Sequence, residues 1–194
     1  MLAISGSDKG DFMKKSLVTV LVVSLIVVGL IGVNAILGGS FGGTQIKILF
    51  STLAFTVYSV LGLSCNTILS TRYDAFARLG LLVIAAGLAY AIITTWATPE
   101  SPAFLKARFS FLVVAIGFAH ASLMLLIEQK NAAIKGAVVI ALTANLIVAI
   151  VLVDLISNIS AAEFSTFRLL GVVSVVGVIA TLIAPLLAKA VPND

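Results

Sequence analysis

The chain has 194 residues, 61% hydrophobic and 10% charged, with a net charge of +4. A soluble globular domain carries about 45–50% apolar and roughly 25% charged residues, so too few polar groups are present here to cover a water-facing surface, and the apolar excess must face a bilayer. The basic residues are scattered at the ends of apolar runs and form no patch, so the charge does not point to nucleic acid, and none is expected as a partner.

A hydrocarbon core of about 30 Å takes roughly 20 residues of helix. Six runs have that length: residues 16–37, 48–69, 79–97, 109–127, 136–157 and 169–189. All are expected to be helices, because lipid offers backbone N–H and C=O groups no partner. The expected fold is all-α, with residues 1–14 a mobile tail and 15–190 a single six-helix transmembrane bundle.

Lys14 and Lys15 precede the first run. It is too long for the h-region of a signal peptide, and no A-x-A-like site closes it, so it reads as a retained helix. Gly29, Gly32 and Ala35 lie near one of its faces, where close helix approach is favoured in lipid. The following "GGSFGGTQ", residues 38–45, lacks the spacing of a phosphate loop and reads as a turn.

The second run holds the single cysteine, Cys65, which reads as a small apolar filler. One cysteine and one histidine make no metal-ligand cluster, and no cofactor is expected. The third run is thinned by Gly80, Ala85 and Gly87 and ends at Trp96, a residue type common at membrane interfaces.

The fourth run contains "GFAHASLMLL", residues 117–126, with the one histidine, His120. Ala115, Ala119 and Ser122 form a small-residue face beside it. A haem would need a second axial ligand that the sequence does not offer across from His120. A proton relay would need a row of titratable groups.

Polar residues inside spans are costly and need a partner or a purpose. They are Asn34, Asn66, His120, Thr143, Asn145 and Asp154. The fourth and fifth runs turn near Asn131 and Ala132. Residues equally far from that turn lie at equal depth in an antiparallel hairpin, so His120 is expected to bond Thr143 or Asn145. The same counting places Asp154 level with Arg108, and counting from the next turn places it level with Arg168. An ion pair with one or both arginines is expected, since opposite charge favours an ionised carboxylate. With Lys47 and Lys106, these residues would form a basic rim suited to an anionic lipid head group.

Lys47-x-x-Phe50-Ser51 and Lys106-x-x-Phe109-Ser110 open the second and fourth runs. Arg108 and Arg168 open the fourth and sixth at a similar spacing, and Gly117 and Gly177 repeat it. The expected arrangement is therefore three tandem antiparallel hairpins, pairing runs one with two, three with four and five with six. With the N-terminus inside, the inner segments carry Lys9, Lys14, Lys15, Arg72, Arg78, Lys130, Lys135 and Lys189, and the outer ones Lys47, Lys106, Arg108 and Arg168. The positive-inside rule then places both termini in the cytoplasm.

The pattern "FSFLVVAIGFAHASLMLL", a polar turn, then "FRLLGVVSVVGVIATLIAPLL" resembles a group of small, uncharacterised bacterial six-helix integral membrane proteins. The likeness spans roughly residues 14–189 and implies a bacterial inner membrane but no activity. No nucleophile set or pair of carboxylates suited to acid–base chemistry stands out. The expected function is non-enzymatic: an accessory or structural subunit that packs against lipid, itself or a larger membrane complex. The alternative is a small transporter or channel with a path near His120, Asn145 and Asp154.

Overall fold

The computed structural model describes residues 15–30 except 17, 21, 24, 25 and 28, and then 43–97, 101–158 and 164–190. Among the described residues there are six helices and no strand. The first, α1, occupies the described positions between 15 and 30. The others are α2 (Gly43–Asn66), α3 (Asp74–Trp96), α4 (Pro102–Leu125), α5 (Ala132–Ser157) and α6 (Phe164–Ala190). The expected N-terminal tail, Gly32, Asn34 and Ala35 lie outside the described residues.

The helices α2 to α6 are each long and apolar enough to cross a membrane. They begin four to seven residues before the apolar runs do. Hydropathy marks the stretch that suits lipid, whereas a helix continues for as long as its backbone bonds close and its end is satisfied. Pro102 occupies the first turn of α4, where its missing N–H costs nothing. Asn131 caps α5, its side-chain oxygen accepting from Ile134 N at 2.8 Å. Charged residues such as Lys47, Lys106, Arg108 and Lys135 are thereby carried on the helices themselves.

Every consecutive pair from α2 to α6 packs together, and α2 also reaches α4. Two cores result. One joins Tyr58 and Cys65 of α2, Ile84 of α3 and Ala115 of α4. The other joins Met124 of α4, Ile134, Val138 and Ala141 of α5, and Ala180 and Ala184 of α6. Helix α4 contributes to both and is the spine of the bundle.

Small residues decide where helices meet. Ala115, Ala119 and Ser122 are all buried on α4, as the small-residue face predicts. On α3, Gly80 and Gly87 are buried but Ala85 is exposed. A Cβ on Gly87 would stand 2.9 Å from the Tyr58 ring, and one on Gly80 would stand 3.0 Å from Cys65 Sγ. Those two glycines set the close approach of α2 to α3. Cys65 is fully buried, in keeping with its reading as a filler.

The outward surface is apolar. Val172, Val175, Ile179, Leu182 and Leu186 of α6 are each more than half exposed, and so are Val23, Ile26 and Leu30 of α1.

Candidate functional site

Equal depth across the α4–α5 hairpin is seen in two bonds. Lys106 Nζ donates to the Ser157 carbonyl oxygen at 2.8 Å, and Asn145 Nδ2 donates to the Gly117 carbonyl oxygen at 3.0 Å. Both pairs straddle the Asn131–Ala132 turn nearly symmetrically, so the register counted from the sequence holds.

The partner expected for His120 does not. Thr143 is exposed on α5, facing away from the bundle, and Asn145 is committed to Gly117. His120 Nε2 instead lies 3.3 Å from Thr181 Oγ1 on α6. Thr181 donates its one hydroxyl proton to the Gly177 carbonyl oxygen at 2.7 Å. With that proton given to Gly177, the His120–Thr181 bond calls for a ring that carries a proton on Nε2. Thr143 has the right depth but the wrong azimuth. Thr181 lies on α6, beyond the reach of a count made across the α4–α5 turn; its position one turn after Gly177 was the available signal.

His120, Asn145, Ser174 and Thr181 are among the residues that line an open groove of about 360 Å³ between α5 and α6. Gly177 sits in its wall, where a Cβ would come within 3.1 Å of Ala144 Cβ. A second, larger groove of about 750 Å³ runs between α4 and α5, with Asn145 on its wall and Asp154 and Ser157 at one end.

The expected ion pair of Asp154 with Arg108 is likewise replaced. Arg108 Nε donates to Thr94 Oγ1 of α3 at 2.6 Å, and Thr94 is buried and donates to the Tyr90 carbonyl oxygen at 2.7 Å. The exposed Asp154 carboxylate accepts from Asn158 Nδ2 at 2.9 Å. Arg108 has the depth of Asp154 but turns toward α3. Arg168 has an interaction of its own near the start of α6, and Lys47 is exposed at the start of α2. Arg108 and Lys106 are thus bonded to Thr94 and to the Ser157 carbonyl and not to Asp154.

Trp96 closes the same end of the bundle, its Nε1 donating to Ser51 Oγ of α2 at 2.9 Å. Asn66 Oδ1 is buried with no hydrogen-bond partner among the described residues.

No known family, curated protein or solved structure matches this chain.

Proposed function

We propose that this chain is a non-enzymatic integral membrane protein, an accessory or structural subunit that works by helix packing with itself or with a larger membrane complex. The carrying observation is how its intramembrane polar groups are placed. Asn145 ties α5 to α4 and His120 ties α4 to α6, so the polar residues join helices to one another. The broad apolar faces of α1 and α6 are left for lipid or a partner. Membrane association in that setting depends on packing and not on hydrophobic burial, because lipid is as apolar as the side chains. In this reading the bundle is three tandem hairpins in a bacterial inner membrane, with both termini in the cytoplasm.

The test is cross-linking in the native membrane through cysteines placed at Val172, Ile179 and Leu186. Cross-links to a second copy or to one defined membrane protein support the reading. A chain that cross-links to nothing, and in which a cysteine at His120 reacts with a water-soluble reagent, supports instead a transport path past His120, Asn145 and Asp154.

A further inference from the structure

We propose that the groove between α4 and α5 seats one acyl chain of a phospholipid with a primary-amine head group, its phosphate on Lys106 and its ammonium on Asp154.

The groove has a volume of about 750 Å³, and most of its lining, including Val114, Ala121, Leu142, Leu146 and Ile150, is apolar. Asn145 interrupts that wall, but its amide already donates to Gly117. From Ser157 to Leu142 the groove follows α5 for about 22 Å at 1.5 Å per residue. One leaflet takes up roughly 15 Å of the hydrocarbon core, so the groove is deep enough for a single chain entering from the end that carries Trp96.

The mouth supplies the head-group chemistry. Asp154 and Ser157 form that end of the groove, and Lys106 is fastened there by its bond to the Ser157 carbonyl. That bond uses one of the three ammonium protons, leaving two for a phosphate. The Asp154 carboxylate accepts one bond from Asn158 and retains acceptor sites for an ammonium. A positive and a negative group at the same end of the groove match a phosphate–ammonium zwitterion. A glycerol head group offers Asp154 hydroxyls but no cation, and so leaves the carboxylate without a counter-charge. A choline head group has no N–H to donate to it.

The full chain is reconstituted into vesicles of phosphatidylethanolamine, phosphatidylglycerol and phosphatidylcholine in equal parts, and retained lipid is read by native mass spectrometry. The expected result is one retained ethanolamine lipid, in about tenfold excess over each of the others, the worth of one charge-assisted hydrogen bond. Asp154→Asn, at an exposed position, should bring the three lipids close to parity. Ile150→Trp, filling the groove from its rim, should lower retention of all three. Equal retention by the unaltered protein, or an unchanged preference in Asp154→Asn, overturns the proposal. So does a second copy in the groove, read as disulfide formation through Leu146→Cys in a Cys65→Ala background.

Discussion

His120 of α4 and Thr181 of α6 meet at 3.3 Å, joining two helices that are not neighbours in the chain. The Thr181 proton is already given to Gly177, so the bond calls for the histidine as donor. Hydrogen bonds of this kind in membranes average about 0.6 kcal/mol and reach about 1.7 kcal/mol. A double-mutant cycle of His120→Phe and Thr181→Val, followed by unfolding in mixed micelles, should give a coupling in that range. The same cycle with Thr143→Val should give none, since Thr143 is exposed.

Asn145 holds α5 against α4 through the Gly117 carbonyl. Asn145→Ala should destabilise the bundle by about 1 kcal/mol. Gly117→Ala should be neutral or stabilising: its Cβ would stand 3.8 Å from Asn145 Nδ2 and 3.9 Å from Ala149 Cβ, which is ordinary contact, and alanine is the better helix former by about 1 kcal/mol. Thermal unfolding of the two variants side by side checks the contrast.

At Gly87 the sign reverses. A Cβ there would meet both the ring and the hydroxyl of Tyr58 at 2.9 Å, and Tyr58 is itself buried. Gly87→Ala should cost about 1–3 kcal/mol, the usual range for overpacking. Gly171→Ala, with nothing within 4 Å of its Cβ, serves as the control and should not destabilise.

Cys65 is fully buried against Gly80. Ser122, itself fully buried, gives its proton to the Phe118 carbonyl at 2.8 Å. A membrane-permeant maleimide should therefore label Cys65 far more slowly in the folded protein than after denaturation in detergent. Cys65→Ala then provides a background for topology. A cysteine at Glu128, in the α4–α5 turn, should be labelled only from the cytoplasmic side, and one at Lys47 only from the opposite side.

Depth was legible in the sequence. A helix rises 1.5 Å per residue, so counting outward from the Asn131–Ala132 turn places Lys106 beside Ser157 and Asn145 beside Gly117, and both bonds form. The existence of long apolar helices followed from the absence of enough polar surface for water. The small residues Ala115, Ala119 and Ser122 marked the buried face of α4 because only small side chains let helices approach in lipid.

Apart from that small-residue face of α4, azimuth was not legible. These helices are apolar on every side, so no hydrophobic stripe says which face turns inward. Thr143 shares its depth with His120 yet faces out, and Arg108 shares its depth with Asp154 yet turns to Thr94. The sequence by itself determined an all-helical chain with spans of membrane length and the depth of each polar group along them. Only the tertiary structure decided which groups meet, because the rotation of α4 is set by two cores at once, one against α2 and α3 and the other against α5 and α6.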